Sequence, residues 1–132
     1  SQADALRRLV EEAIREQIIE RAILEHDVRV HHDEVARARA LFAADHGLGT
    51  VAQIDEWLAQ QKMTRAEFEN QLRRIIAFGK LKDLVVGDQA ERALPNGADR
   101  KARAVMHRRI FEDWLDEERR RLGVQLTYQE LL

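Results

Sequence analysis

The sequence predicts an all-α fold of about five helices, and three observations support this. Charged residues make up 35% of the 132-residue chain and proline occurs once, a composition typical of helical proteins. Apolar residues recur at steps of three and four, the period of an α-helix. Thr50 and Thr64 each precede Gln or Glu by three positions, the spacing of a helix capping box. We expect two long helices, one N-terminal and one C-terminal, to pack around a central amphipathic helix.

Composition also limits the classes of function. The formal net charge of −2 favours no particular partner. Cysteine is absent, which excludes disulfides and thiolate metal sites. No apolar run reaches the ~20 residues of a membrane span, and the N-terminus does not resemble a signal peptide. No catalytic motif is present, so we expect binding rather than chemistry, with no cofactor and no metal.

The first helix is predicted over residues 3–26, and Asp27 should end it in the left-handed region. Residues 28–30 then form a short extended linker. One face of this helix carries a wide apolar stripe. The stripe comprises Leu6, Leu9, Val10, Ala13, Ile14, Gln17, Ile18, Ala22 and Ile23.

Two shorter helices follow the linker. His31 or His32 begins the second helix, with acidic residues in its first turn where the helix dipole favours them, and Gly47 and Gly49 end it. Thr50 caps a third helix that runs to Gln60. Their expected apolar positions are Val35, Ala38, Leu41 and Phe42 on the second helix, and Ile54, Trp57 and Leu58 on the third.

The central helix is predicted over residues 63–85, capped by Thr64 and Glu67. Gly79 within it indicates a close approach of another helix. Residues 86–88 break the pattern, and a short helix is expected over 89–94. The buried face of the central helix should include Phe68, Leu72, Ile75, Ile76 and either Leu81 or Leu84.

A turn over residues 95–97 precedes the last helix, predicted over 98–122 with Gly123 as its C′ residue. Cations crowd the start of this helix, where the dipole disfavours them. Residues 124–126 should be extended and 127–130 should open a final turn. The buried side is expected to comprise Val105, Met106, Ile110, Phe111, Trp114, Leu115 and Leu122.

The order of these features resembles the N-terminal chaperone domain of SurA-type parvulin chaperones, and it is similar to the related peptide-binding region of trigger factor. The resembling series runs from Leu9 to Leu84. It contains LVEEAIREQIIERAILEH, Val-x-Val, the capped Asp33-Glu34-Val35, a glycine-bearing loop, WLAQQKM, Thr64-x-x-Glu67-Phe68 and the LRRIIxxxKL helix. The closing FEDWLDEERRRLGVQL resembles the helix and tail that return to this domain at the C-terminus of family members.

This resemblance implies one domain over residues 1–132. Its N-terminal helical part covers 1–94, a connector covers 95–99, and the returning helix and tail cover 100–132. The family often inserts a prolyl isomerase domain at this connector, which is too short here to contain one, so isomerase activity is not expected. Either the chain is a natural isomerase-free member or the inserted domain was removed. The family also implies the bacterial cytoplasm or periplasm.

The resemblance implies a chaperone-like module that binds unfolded or extended polypeptide, with a dedicated precursor-peptide maturation factor as a specialised form. The alternative is a self-associating helical module, a homo-oligomer whose cradle is filled by another copy. Met and aromatic side chains suit promiscuous contacts, although each could instead be a plain core residue. The candidate cradle residues are Phe42, Trp57, Met63, Phe78, Met106 and Trp114.

Two further hypotheses are disfavoured by the sequence. A histidine–carboxylate metal site lacks a recognised ligand spacing. Nucleic-acid binding through the basic residues of 100–109 conflicts with the acidic run that follows and with the net charge. The residues of the metal hypothesis are His26, His31, His32, Asp33 and His46.

Overall fold

Five helices form the part of the chain that the computed structural model describes, residues 1–123. About 80% of this part is helical and it contains no strand, which confirms the all-α prediction, with the N- and C-terminal helices packed on a central one. The predictions for residues 124–126 and 127–130 lie outside the described residues. The helices are α1 (Gln2–Glu25), α2 (His32–Asp45), α3 (Val51–Gln60), α4 (Arg65–Ala93) and α5 (Arg100–Arg121).

Three predicted helix ends are confirmed by their backbone angles. Asp27, Gly47 and Gly123 follow α1, α2 and α5 with φ values of 52°, 66° and 56°. This left-handed conformation is the usual way to end a helix, and it is least costly for glycine. Gly97 also has a positive φ, 78°, in the predicted turn, where the Ala98 amide donates to the Pro95 carbonyl at 3.2 Å.

Helix α4 corrects two predictions. It continues through residues 86–88 to Ala93, so the predicted break and separate short helix are wrong. Val86 and Ala90, one turn apart, are both fully buried, and this packing outweighs the roughly 1 kcal/mol that Gly87 costs a helix. The close approach predicted at Gly79 is also wrong, because a Cβ there would have no neighbour within 4 Å.

Contacts divide the chain into two compact units. The terminal unit comprises Ser1–Asp27 together with the described residues from Leu81 onward. The central unit is Val28–Lys80. Helix α4 therefore contributes residues to both. The terminal unit has a core of Ile14, Ile18, Ala22, Leu81, Val86, Ala90, Ile110, Phe111 and Leu115.

Ion pairs join α1 to α5 within the terminal unit. Arg15 donates to both carboxylate oxygens of Glu112 at 2.7 and 2.8 Å. Arg119 donates to Glu11 at 2.5 Å, and this hydrogen bond lowers the pKa of the Glu11 carboxyl. All four side chains are partly exposed, so each pair contributes at most about 1 kcal/mol.

The basic start of α5 is accommodated locally. The Asp99 carboxylate caps the helix by accepting from the Ala102 amide at 2.8 Å. Arg103 pairs with Glu91 on α4, and His107 approaches the same carboxylate at 3.5 Å. One cap and one carboxylate thus offset part of the cationic charge that opposes the dipole.

Several apolar residues predicted to be buried are exposed instead. Leu6 and Leu9 are 58% and 69% exposed, because the buried part of the α1 stripe begins only at Ile14. On α4 either Leu81 or Leu84 was predicted to be buried, and Leu81 is the buried one. A helical face wider than the surface packed against it leaves its margins in solvent. The other exposed members of the predicted faces are Gln17, Leu41, Ile75 and Val105.

Candidate functional site

The central unit is held at its N-terminal end by one lysine. Lys80 Nζ donates to Glu34 at 2.6 Å and to the Arg29 carbonyl at 2.8 Å. The same Glu34 oxygen accepts from the His31 amide at 3.0 Å. The Lys80 contact, followed by the His31 amide, lowers the pKa of the Glu34 carboxyl. The linker before α2, the first turn of α2 and helix α4 are thereby joined at a single point.

An aromatic cluster lies where α2, α3 and the start of α4 meet. It comprises Phe42, His46, Trp57 and Phe68. The Phe42 ring lies edge-on to Trp57 at 4.9 Å between centroids and 5.0 Å from Phe68. The His46 ring stacks on Phe42 at 4.0 Å, and its Nδ1 is 3.0 Å from the Phe42 carbonyl oxygen. Edge-on and offset aromatic pairs at these distances are favourable.

Three of the six predicted cradle residues come together on this cluster. Phe42, Trp57 and Met63 are half-buried and pack against a fully buried core. They therefore combine a fixed position with apolar surface that remains in solvent. The core beneath them comprises Val35, Leu58, Phe68 and Leu72.

The other three predicted residues lie elsewhere on α4 and α5. Phe78 belongs to the central unit and is half-buried. Met106 and Trp114 belong to the terminal unit and are half-buried on α5, where Trp114 stacks on Phe111 at 5.5 Å. All six residues are thus intermediate between core and surface.

A groove of about 240 Å³ exposes the tryptophan of the aromatic cluster. We call it the Trp57 groove. Four of its residues occupy positions i, i+3, i+4 and i+7 of α3, so they share one helical face. The fifth comes from the loop between α2 and α3. The Trp57 groove is lined by Leu48, Gln53, Glu56, Trp57 and Gln60.

Sequence reasoning identified only Trp57 among these five residues. The helical spacing of residues 53, 56, 57 and 60 was available as a signal, but polar residues on one helix face ordinarily indicate solvent. Leu48 could not be assigned, because its place depends on how the loop returns over α3. Its amide donates to the Ala43 carbonyl at 2.8 Å, which fixes that return.

Two other grooves of the described residues are rimmed by paired charges. In the central unit, one groove contains the Arg39–Glu69 pair at 2.6 Å and the Arg65–Asp55 pair at 2.7 Å. The groove of the terminal unit is lined by α1 and α5 and contains Arg15, Glu112 and Arg119. None of the six predicted cradle residues lines either groove. Satisfied ion pairs make these rims poor surfaces for an apolar polypeptide.

The structure also places residues of the metal hypothesis. Within residues 1–123, no three His, Cys, Asp or Glu side chains assemble as a metal-binding group. His46 instead belongs to the aromatic cluster. None of the described helices combines the length and apolarity needed to cross a bilayer.

Comparison with protein-family models, with curated proteins and with solved structures found no significant match. The SurA-type resemblance therefore stays a prediction.

Proposed function

We propose that this chain is a non-catalytic module that binds unfolded or extended polypeptide. The observation that carries the proposal is the group of half-buried side chains Phe42, Trp57 and Met63 with the adjoining Trp57 groove. A rigid, partly exposed aromatic surface offers a client apolar contact without the entropy cost of ordering a loop.

Exposed aliphatic residues add to this surface chemistry. Leu41, Val51 and Ile75 of the central unit are each more than half exposed. Scattered exposed leucines are ordinary in proteins, but their presence in the same unit as the half-buried aromatics supports a binding role. Apolar contacts are not directional, so a surface of this kind suits a ligand without fixed sequence.

The proposal is tested by amide-resolved NMR titration with a reduced and carboxymethylated protein that cannot refold. We expect chemical-shift changes concentrated at α2, α3 and the loop between them. A Trp57→Ser variant should weaken binding. The matched Trp114→Ser variant, whose substitution lies in the terminal unit, should leave binding unchanged. No binding at concentrations up to about 1 mM would overturn the proposal, since weaker association has no use as a chaperone contact.

Aggregation assays distinguish a general chaperone from a dedicated maturation factor. A general chaperone should slow the aggregation of several unrelated proteins. A dedicated factor should bind one precursor sequence and leave the unrelated proteins to aggregate. Either result is consistent with polypeptide binding, and the assay shows whether the chain binds many clients or one.

Self-association is a second candidate, and the exposed end of α1 favours it. Leu6 and Leu9 extend the same helical stripe that is buried from Ile14 onward, so this stripe has an uncovered apolar end. Burying the exposed parts of these two leucines against a second copy would be favourable by roughly 2–4 kcal/mol before association costs. Light scattering of the chain alone should then give a mass above the monomer, and Leu6→Lys with Leu9→Lys should restore the monomer.

A further inference from the structure

The Trp57 groove has the size of a site for one side chain. Its volume of about 240 Å³ lies below the roughly 300–1,000 Å³ of typical small-molecule sites. The α3 face supplies an aromatic ring, a carboxylate and two amides. The loop supplies one aliphatic contact, Leu48. A long side chain with an apolar stem and a polar tip fits this mixture.

The carboxylate in this groove is not neutralised by the described part of the chain. Glu56 has no ion-pair partner there, although the neighbouring Asp55 is held by Arg65 at 2.7 Å. The groove containing that pair also contains Arg39 and Glu69, which neutralise each other at 2.6 Å. The negative charge of Glu56 is therefore available to a ligand.

The tryptophan ring also lacks a cation within the described residues. Elsewhere the protein does place cations over an aromatic ring: Arg15 and Lys82 lie 5.9 and 5.7 Å from the centroid of Phe111. Tryptophan is the strongest of the aromatic side chains for this interaction. A cation that approached Trp57 would meet both the ring and the Glu56 carboxylate.

We infer that the Trp57 groove accepts a lysine or arginine side chain of the bound polypeptide. This inference rests on the proposed function and specifies its ligand. The aliphatic stem lies against Leu48 and the indole, and the charged tip pairs with Glu56. The Gln53 side chain stays on the cap of α3, where its oxygen accepts from the Gly49 and Thr50 amides at 2.6 and 3.1 Å. An acidic client residue is repelled by Glu56, so the groove selects by charge as well as by apolar contact.

A purely apolar occupant fits less well. It would cover Glu56 without supplying a hydrogen bond, and covering an unpaired carboxylate is costly. A cation removes this cost and gains the ring contact in addition. Charge complementarity therefore decides the chemistry of the occupant.

The test uses the full chain carrying Trp114→Phe, so that Trp57 is the only tryptophan. Three unstructured leucine-containing peptides of the same sequence differ only at one central residue: lysine, norleucine or glutamate. We expect the lysine peptide to bind most tightly and the glutamate peptide most weakly, with a change in Trp57 fluorescence on binding. Glu56→Gln should weaken the lysine peptide roughly fivefold. It should strengthen the norleucine peptide, because the carboxylate that this peptide covers without a partner is no longer charged.

Glu117→Gln is the matched control, because Glu117 is exposed on α5 and outside this groove. It should change no affinity, and raising the salt concentration should weaken only the lysine peptide. Equal affinities for the three peptides, or equal effects of the two substitutions, would overturn the inference and leave polypeptide binding intact. Failure of all three peptides and of the unfolded protein would overturn the proposed function, and the inference with it.

Discussion

Two leucines of α4, which differ in burial, show how narrow the buried face of this helix is. Leu81 is fully buried, whereas Leu84, three positions later, is 60% exposed. Both residues have the same chemistry and belong to the same helix. Their contributions to stability should therefore differ only through the contacts that each one makes.

Leu81→Ala should lower the free energy of unfolding by about 2–5 kcal/mol, because it removes buried methyl groups and leaves a cavity. The matched Leu84→Ala should change it by less than about 0.5 kcal/mol. Urea denaturation followed by circular dichroism measures both. Equal losses for the two variants would mean that Leu84 is as buried as Leu81.

A charged residue, Glu34, predicts a pH dependence. Lys80 and the His31 amide lower the pKa of its carboxyl in the folded protein. The unfolded value is close to 4.3, so these contacts stabilise the fold above that pH, and the stabilisation is lost as the pH falls through the lower folded value. Glu34→Gln should be less stable than the wild type at neutral pH.

The difference in melting temperature between Glu34→Gln and the wild type should shrink as the pH is lowered below about 4.3. Glu56→Gln is the control, because Glu56 has no ion-pair partner among the described residues. A difference for Glu34→Gln that stays constant from neutral to acid pH would contradict the role assigned to Lys80.

At the scale of the element, α4 is a continuous helix that contains two glycines. Gly79 is exposed, and nothing lies within 4 Å of the position where its Cβ would be. Glycine lowers helix stability through backbone freedom in the unfolded chain, and no packing at Gly79 requires the missing side chain. The helix therefore tolerates Gly79 without depending on it.

Gly79→Ala should raise the free energy of unfolding by about 0.5–1 kcal/mol. Gly97→Ala is the contrasting variant, because Gly97 has a φ of 78° in the turn before α5, and it should lower that free energy by about 1–2 kcal/mol. Thermal unfolding measures both. A loss of stability in Gly79→Ala would contradict this expectation and would indicate that another helix does approach closely at Gly79.

At the scale of the whole molecule, α4 contributes core side chains to two compact units. Phe68 and Leu72 belong to the central core, and Leu81, Val86 and Ala90 belong to the terminal core. Each unit contains one tryptophan, Trp57 or Trp114. The single-domain prediction can therefore be tested directly.

Single-tryptophan variants, Trp114→Phe and Trp57→Phe, report on the central and terminal units respectively. We expect both to give the same urea midpoint as circular dichroism of the same variant, because unfolding either core removes packing that stabilises α4. Two separate fluorescence transitions within one variant, or a fluorescence midpoint that differs from its circular dichroism midpoint, would contradict the single-domain prediction.

The sequence by itself determined where helices form and how most of them begin and end. The capping box at Thr50, the helix ends at Asp27, Gly47 and Gly123, and the turn at Gly97 were all predicted from local patterns. This succeeds because helix hydrogen bonds join residues four positions apart, so the information is local.

Tertiary structure alone decided which apolar residues are buried, whether α4 continues through Gly87, and which side chains line the Trp57 groove. Leu9 and Ile14 belong to one predicted stripe, yet only Ile14 is covered. Trp57 was identified from its chemistry, but its neighbour Leu48 depends on the path of a loop. Burial is determined by contacts with residues that are distant in sequence, and a local pattern does not specify those contacts.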